Sequence, residues 1–593
     1  MRIAFRAGIL VALLFSIPRP SLAQSDFFRP YAGFIPAEDL PETFHARIRS
    51  IQFDRRDAFE GSIAHSKAER RLFSFGNKLH FTSRESTIRH RLLFAEGSEA
   101  TKTLLTETEK ALRSEEFLAD AILEAKSRDD GTCDIRVTTF DQFTTIPGGG
   151  AKVLGLKASD LFHGRWDNIV GSEWLWWAGI TESNLLGTGT KVGAAIRHDL
   201  ERDTRELTFA NKSLTSQKLQ VSAYAAWLSD GDSVLFSIGR PLLSRTDTYA
   251  YALAVSSVEN SEKLYFDANR LKSLAADLAQ EKAGKPHVLR LFNRVANQDV
   301  NLSFTRSFGY GLKFDAGPTF DYHDRYDDGG LGQADTALLA TASLPASALE
   351  PEKRTDALLG LSLSLYQYDY KTARNYHNLK WNESVMTGWR LTTKAAMNQD
   401  WLGAANSDFR LTQEASYSDA WSDLAYWNFG LSWQSFLKPD GTWQDGRADA
   451  WWEGQWKPNP VTSTVLTTAW TNLVNTPGSR QLLLGEIDGL NGFPSFYYAG
   501  QARFLATAEQ RLFPSFEFLT LVPAFAAILS AGNTYPSFGQ FDPGAMHYSL
   551  GLGLRLGRSK STQKVVQHFN VVWPLGEADL SGPVISILAK MSL

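Results

Sequence analysis

The stretch that decides the fold is Gly485–Arg511, which reads GEIDGLNGFPSFYYAGQARFLATAEQR. Its first part, residues 485–500, is rich in glycine and aromatic residues, which predicts a turn-rich loop. From Ala502 onward the sequence alternates between apolar and polar residues, as a strand does. The polar face carries Arg503, Thr507, Glu509 and Arg511. Charges on one face require water there, so the sequence predicts a sheet with a wet interior and an apolar exterior, which is a transmembrane β-barrel.

The same alternation recurs to the end of the chain. Clear examples are residues 219–227, 359–365, 550–557 and 585–593; in 550–557 the leucines oppose a face of glycines and Arg555. Each run is about nine to thirteen residues long, which exceeds the usual soluble strand and matches a tilted membrane crossing. A large soluble β-protein would have the same composition. The strand length favours a membrane β-barrel of about 16 antiparallel strands, from roughly 16 to 21 candidate runs.

Composition and motifs narrow the function classes. A net charge of −4 gives no basic footprint for nucleic acid. The chain has no Gly-x-Ser-x-Gly, no His-Glu-x-x-His and no phosphate-binding loop of the usual form. We therefore expect no enzyme activity, no cofactor and no metal site. The single cysteine, Cys133, excludes an intrachain disulfide.

Composition shifts along the chain predict its domains. Residues 1–23 have a charged start, an apolar centre and a small-x-small end at Ser21-Leu22-Ala23, which predicts a secretory signal peptide. Residues 24–45 contain three prolines and are predicted to be an extended linker. Residues 46–146 predict a small β-α-α-β-β module, which fits a three-stranded sheet covered by two helices. A Pro-Gly-Gly-Gly break precedes the predicted barrel, residues 148–593.

Several motifs resemble those of one protein family. Residues 77–97, Leu112-Arg113-Ser114 and Val137–Phe143 resemble a POTRA domain, although Phe143 replaces the usual tryptophan. Residues 184–189 (NLLGTG) and 490–493 (LNGF) are similar to an early strand turn and a loop motif of the BamA/TamA family of outer-membrane insertases and translocases. The order and spacing of these motifs over about residues 46–593 make the chain resemble a member with one POTRA domain.

This resemblance implies a location and a function. The chain is expected in the outer membrane of a Gram-negative bacterium, with the POTRA domain in the periplasm. It would insert or translocate client outer-membrane or secreted polypeptides, without ATP. The implied partners are outer-membrane lipid, the client, and accessory lipoproteins or periplasmic chaperones. The alternative is a passive pore or receptor that retains the family fold.

The resemblance also implies where a client strand is bound. A POTRA domain offers a strand edge to which a polypeptide can add by main-chain hydrogen bonds. By resemblance this edge strand comprises Asp120, Ala121, Ile122, Leu123, Glu124 and Ala125. The second place is the barrel seam, where the first strand meets the last and where a weak contact would open laterally. The predicted seam residues are Gly155, Ile585, Ile587 and Leu593.

The loop motif Leu490-Asn491-Gly492-Phe493 departs from the family pattern. In the family, an arginine at the position of Asn491 reaches into the lumen and pairs with acids on the next two strands. The first acid position matches Glu509, whereas the second is occupied by Ser530. Glu509 is left with Arg503 and Arg511 on its own face. We expect the loop to fold inward all the same, through neutral hydrogen bonds and its aromatic residues; the alternative is a loop ordered at the surface.

Overall fold

The computed structural model describes residues 31–57, 81–141, 144–154, 156–157, 173–243, 247–265, 288–328, 353–374, 382–422, 424–477, 480–516, 521–558, 566–577, 580 and 583–589. The predicted signal peptide, Gly155 and Leu593 lie outside these residues. No helix within them is both long and apolar enough to cross a membrane.

A small α/β module forms the first part of the described chain. Its elements are β1 (Ile35–Pro36), β2 (His45–Arg56), α1 (Glu85–Arg89), β3 (Glu99–Thr101), α2 (Lys102–Arg113), β4 (Leu118–Ser127) and β5 (Thr132–Asp141). The sheet order is β1-β4-β5-β2-β3, in which only β2 and β5 are parallel. The predicted β-α-α-β-β order is present, with two short strands added at the sheet edges.

Helix α2 begins at a capped end and buries one side on the sheet. The Thr101 hydroxyl accepts a hydrogen bond from the N–H of Leu104 at 3.2 Å, which caps the helix. Leu105, Thr108 and Leu112 lie on the buried side. This spacing is that of one helical face, and burying it fixes the helix along β4.

Residues 31–45 differ from the extended linker that the sequence predicts. Ile35 pairs with Ala125 on β4, and the side chains of Ala37 and Leu40 are buried in the module core. The prolines place this segment at a sheet edge, where no N–H is needed, rather than away from the fold. The module therefore begins before residue 46.

The rest of the chain forms a closed antiparallel barrel. The strands before its long inward loop are β6 (Thr145–Leu154, continued by Leu156–Lys157), β7 (Glu173–Glu182), β8 (Thr190–His198), β9 (Asp203–Asn211), β10 (Gln220–Leu228), β11 (Gly231–Arg240), β12 (Tyr249–Tyr265), β13 (Val288–Phe308), β14 (Lys313–Asp328), β15 (Lys353–Arg374), β16 (Asn382–Asn398), β17 (Phe409–Trp421), β18 (Ala425–Leu437), β19 (Trp443–Asn459) and β20 (Thr462–Val474). The loop carries a small hairpin, β21 (Leu482–Leu484) and β22 (Tyr498–Gly500). The remaining strands are β23 (Ala502–Leu512), β24 (Leu521–Tyr535), β25 (His547–Arg558), β26 (Gln567–Leu575) and β27 (Val584–Ala589).

The predicted fold class is confirmed, and the strand count is settled by the pairing. Within the described residues the barrel contains twenty strands, when the two segments of β6 are counted as one. This number is higher than the predicted count of about 16 strands, and it lies within the range of 16 to 21 candidate runs. The longest strand, β15, has 22 residues and extends well beyond the length of a membrane crossing.

The outer face of the barrel is apolar. Leu359, Leu361 and Leu363 on β15 point outward and are exposed, as are Leu550 and Leu552 on β25. Their strand neighbours on the opposite face are small or polar. An exposed apolar belt with a polar interior is the surface of a membrane β-barrel, since lipid covers the belt and water fills the inside.

The module contacts one end of the barrel, and this contact defines the two ends. The turn between β7 and β8 contacts the module, so this end is the module end. The strands alternate in direction, which places the loop between β20 and β23 at the far end. Tyr265, at the close of β12, lies at the far end for the same reason.

Candidate functional site

The loop between β20 and β23 folds into the barrel. Its buried cluster consists of Leu484, Leu490, Phe493, Tyr497 and Tyr498, packed against Leu505 of β23. A Cβ at Gly492 would lie 3.0 Å from Cγ1 of Val572 on β26. Val572 is 1% exposed whereas the adjacent Trp573 is 38% exposed, so Val572 points to the lumen. The loop therefore occupies the lumen, against the wall formed by β23–β26.

The predicted motif residues shape the turn of this loop. Gly492 has φ +88°, a left-handed conformation that favours glycine. Its N–H donates to Oε2 of Glu486 at 2.5 Å. Leu490 and Phe493 are buried in the loop cluster, whereas Asn491 is half-buried. Three of the four motif residues thus hold the packed turn together, and they do so without a charge from the motif.

Glu509 is paired within the barrel wall. It accepts a hydrogen bond from Nε of Arg511 at 2.9 Å and another from Nε of Arg555, on β25, at 3.2 Å. Nη1 of Arg555 also donates to Oδ1 of Asn570 at 2.6 Å. The positive charge that Asn491 lacks is therefore supplied by the wall. Sequence reasoning placed Arg555 on the lumen face of its strand but did not connect it with Glu509, because they are 46 residues apart.

The other two predicted lumen residues have different surroundings. Arg503 contacts the loop rather than Glu509: its Nη1 donates to the carbonyl oxygen of Leu483 at 3.0 Å and lies 3.9 Å from Oδ1 of Asp488. The prediction that Arg503 is available to Glu509 is therefore corrected. Ser530 is fully buried on β24, and its hydroxyl has no hydrogen-bond partner among the described residues.

Contacts at the far end extend the loop across the lumen. The Gln481 side chain accepts from the N–H of Tyr265 and donates to its carbonyl oxygen, both at 2.9 Å. The Tyr265 ring lies 4.7 Å from the ring of Phe496. Arg480 lies 3.4 Å from Asp445, just after the start of β19. The loop is therefore tied to β12, opposite the wall on which its cluster packs, and to β19, which lies beside that wall. Sequence pattern gave no indication of these partners.

A second anchor holds the loop on the near wall. The Tyr498 ring stacks on the His547 ring, with centroids 4.1 Å apart. Glu577, just after β26, accepts from the Tyr498 hydroxyl at 3.3 Å and lies 2.7 Å from Nδ1 of His547. These polar contacts and the aromatic packing hold the loop against the near wall.

The barrel closes at a short seam. Strand β27 pairs with the short segment of β6 at two positions, Val584 with Lys157 and Ile585 with Leu156. By contrast β6 pairs with β7 at ten positions, and β26 pairs with β27 at six, among them Ile587 with Phe569. Both of these pairs lie toward the far end. Strand β27 is also hydrogen-bonded to the longer segment of β6, so the seam continues toward the module.

The predicted edge strand of the module forms, but its outer edge is occupied. Asp120–Ala125 lies within β4 and pairs on one side with β5. On the other side Ala125 pairs with Ile35 of β1. The Leu123 N–H donates to Oε2 of Glu109 at 2.9 Å, and Nε of Arg113 donates to the Ala121 carbonyl oxygen at 3.0 Å. The expectation of an open edge is therefore wrong, because side chains of α2 reach over it.

Burial also changes the pKa values of two side chains in the module. Burial of Glu109 raises the pKa of its carboxyl group, even though Arg113 lies beside it and opposes the shift. Burial raises the pKa of the Cys133 thiol to about 11, so the thiol is uncharged at neutral pH. Cys133 is thus an inert core residue.

The predicted early turn joins the module to the barrel. Nδ2 of Asn184 donates to the Phe81 carbonyl oxygen at 2.9 Å and to the Ser83 hydroxyl at 3.0 Å. The Gly187 carbonyl oxygen accepts from the Arg84 N–H and from the Thr87 hydroxyl, both at 2.8 Å. The turn is therefore a docking contact for the module as well as a connection between β7 and β8.

An ion pair extends this junction. Nζ of Lys191, at the start of β8, lies 3.0 Å from Oε2 of Glu116 in the module. Burial of Glu116 acts to raise the pKa of its carboxyl group, but its contacts with Lys191 and Lys212 outweigh this effect and lower the pKa. The junction therefore combines backbone, amide and charged contacts.

The chain is weakly similar in overall fold to several solved structures. No family model and no curated protein matches the chain. Among solved structures, BamA from Haemophilus ducreyi lacking POTRA domains 1–3 is 11% identical with a TM-score of 0.35, over 91% of this chain and 84% of that one. CdiB from Acinetobacter baumannii is 10% identical with a TM-score of 0.38, over 91% and 73%.

A second CdiB, from Escherichia coli, is 10% identical with a TM-score of 0.40, over 91% of this chain and 76% of that one. At these values the likenesses transfer no residue role and no activity. By its own strand pairing, the chain is a membrane β-barrel that carries one small α/β module, and it is similar in outline to these proteins.

Proposed function

We propose that this chain inserts or translocates client polypeptides at the outer membrane, with the barrel seam as a template for the client strand. It works without ATP, cofactor or covalent chemistry, and its module lies in the periplasm. Outer-membrane lipid and the client are its partners, joined by accessory lipoproteins or chaperones.

The observation that carries this proposal is the short closing strand β27, which has six described residues. Each ladder hydrogen bond contributes about 1 kcal/mol net, so a seam along these six residues resists separation less than the ten pairs between β6 and β7. An open seam exposes the unpaired N–H and C=O groups of two strand edges in lipid, which is costly unless another strand pairs with them. A client strand would supply that pairing.

The wall beside the seam is supported from inside the barrel. The inward loop packs on β23–β26, next to this seam, and supports the wall while the seam is open.

A disulfide across the seam tests the proposal. In a Cys133→Ala background, we would introduce Leu156→Cys with Ile585→Cys, which are ladder partners. The matched control is Thr464→Cys with Gln510→Cys, ladder partners on the long β20–β23 pairing. Cells with either pair as the sole copy would be compared by quantitative mass spectrometry of the outer membrane, with and without reductant.

We expect the seam disulfide, and not the control, to deplete a subset of outer-membrane proteins, with recovery on reduction. An unchanged proteome with the seam fully oxidised contradicts lateral opening and favours a passive pore or receptor. Single-channel recording of the same two oxidised proteins separates these, because a pore conducts whether or not its seam is closed.

A further inference from the structure

The pairing of β4 with β5 shows which backbone N–H and C=O groups of β4 an added strand would bond to. In an antiparallel pair, alternate residues direct both backbone groups toward one neighbour. Ala121, Leu123 and Ala125 direct theirs away from β5, since these are the groups bonded by α2 side chains and by β1. A polypeptide adding to this edge would have to pair with the same groups.

The Leu123 position is filled by Glu109. Its carboxylate accepts the Leu123 N–H at 2.9 Å, and the side chain is only 4% exposed. A hydrogen bond to a buried carboxylate is stronger than one between neutral groups. An incoming carbonyl oxygen would have to displace this carboxylate, because the N–H has a single proton to donate.

The Ala121 position is filled by Arg113 and Asp120. Nε of Arg113 donates to the Ala121 carbonyl oxygen, and Oδ1 of Asp120 accepts the Ala121 N–H at 2.8 Å. The same guanidinium lies 2.7 Å from Glu109, 2.7 Å from Asp120 and 3.6 Å from Glu38, which follows β1. One cation thus joins the helix, the edge strand and the segment that covers the end of that strand.

Strand β1 closes the remaining position and is firmly held. Arg136 lies over the rings of Tyr31 and Phe34, at 3.8 and 4.8 Å. Ala37 and Leu40, just beyond β1, are buried in the core. Displacing β1 would expose core side chains, whereas displacing Glu109 and Arg113 requires only a change of side-chain conformation. The side-chain cap is the part that can open.

We propose that the outer edge of β4 is autoinhibited: Glu109, Arg113 and β1 occupy the positions that an added polypeptide strand would take. The cap makes strand addition to the module conditional on release of the Glu109 and Arg113 side chains. It also protects an exposed edge from pairing with other copies of the chain, which is a general hazard of sheet edges.

This inference rests on the proposed function only in taking an extended polypeptide as the ligand class. It concerns a different part of the chain from the seam. A failed seam experiment leaves the binding measurement below interpretable, and the reverse also holds.

The test is binding of an extended peptide to the full chain in detergent micelles. The probe is a fluorescent peptide with the sequence of residues 547–558 (HYSLGLGLRLGR), which is an alternating barrel strand, with a benzophenone at its centre. Fluorescence anisotropy gives the dissociation constant, and mass spectrometry locates the crosslinks. The variants are Glu109→Ala with Arg113→Ala, and the control Lys110→Ala, an exposed position on the same helix.

We expect the double variant to bind at least tenfold more tightly than the wild type and the Lys110→Ala control, with crosslinks to β4 in the double variant alone. Wild-type binding of equal strength, crosslinked to β4, overturns the proposal. So does a folded double variant that gives no β4 crosslink. Folding is checked by the reactivity of Cys133, which is buried and is the single cysteine.

A measurement on the wild type alone covers the case in which the double variant unfolds. Hydrogen exchange of the fragment covering β4 reports on the amides of Ala121 and Leu123. Capped amides exchange at least a hundredfold more slowly than the same amides in an unstructured peptide, and this result supports the cap. Exchange at the unstructured rate overturns it.

Discussion

The Nε atom of Arg555 lies 3.2 Å from a carboxylate oxygen of Glu509, across the intervening strand β24. The Arg555 side chain is only 4% exposed. Removing one partner of a buried pair leaves the other charge uncompensated, which costs about 3–5 kcal/mol. We expect Glu509→Gln to lower the barrel's free energy of unfolding by about 3 kcal/mol, measured by urea titration of heat-modifiable migration on gels.

The matched control for this pair is the double variant Glu509→Gln with Arg555→Gln. Removing both charges leaves no buried ion, so the double variant should recover most of the lost stability. If Glu509→Gln alone is as stable as the wild type, Asn570 is a sufficient partner for Arg555, and the Glu509–Arg555 pair does not stabilise the barrel.

The Gly492 position should tolerate no side chain. Its φ of +88° is unfavourable for alanine by roughly 1–2 kcal/mol, and the added Cβ would meet Val572 at 3.0 Å. We expect Gly492→Ala to loosen the loop and to speed its cleavage by an external protease several-fold. Gly403 is a matched control, since it has φ +91° and nothing within 4 Å of an added Cβ. Equal cleavage of the inward loop in both variants would contradict a specific role of Gly492 in packing the loop.

The module junction should depend on Gly187. An added Cβ would lie 2.4 Å from the carbonyl oxygen of Thr82, and φ is +74°. We expect Gly187→Ala to separate the module from the turn and to reduce carbodiimide crosslinking of Lys191 with Glu116, 3.0 Å apart, at least threefold. Gly441→Ala, with φ +85° and open space, should leave the crosslink unchanged. A crosslink that survives Gly187→Ala would show that the junction does not need this turn.

The stability of the module should depend on pH through Glu109. Its pKa is raised in the folded chain by burial, so at a pH between the unfolded and folded pKa values the folded state holds a proton that the unfolded state has released. The resulting stabilisation is fully present below the unfolded pKa of about 4.3 and is lost as pH rises through the folded value. Glu109→Gln removes this dependence, and we expect a flatter profile of stability against pH from about 4 upward. Cys133 labelling in urea, normalised to the denatured chain at each pH, measures it; identical profiles would contradict the assignment.

The regular part of this fold was predictable because local pattern determines it. Alternation in 550–557 and 502–511 follows from the two-residue period of strands, and the wet interior follows from Arg503 and Glu509 on one face. The number of strands was not fixed, because strands as different in length as β8 and β15 share the same period. The longer helix of the module, α2, is predicted by the spacing of Leu105 and Leu112.

The contacts that sequence pattern missed join residues far apart in the chain. Arg555 meets Glu509 only because β23, β24 and β25 are neighbours in a particular register. Glu109 and Arg113 are charged, which favours an exposed position, yet their side chains reach over the edge of β4. The two residues of β1 are too few to form a recognisable strand pattern. Such contacts depend on strand register and on the position of the helix over the sheet. The periodicity of apolar residues in the sequence contains no information about either.

The turn at residues 184–189 has a mechanical consequence. It ends β7, which pairs with β6 at ten positions, while the closing strand β27 has six described residues. A load on the module would pass through the turn into β7 and then β6, and these two strands would move as one hairpin. The barrel would separate between β6 and β27 before it separates within its wall, so a force on the module would open the barrel sideways.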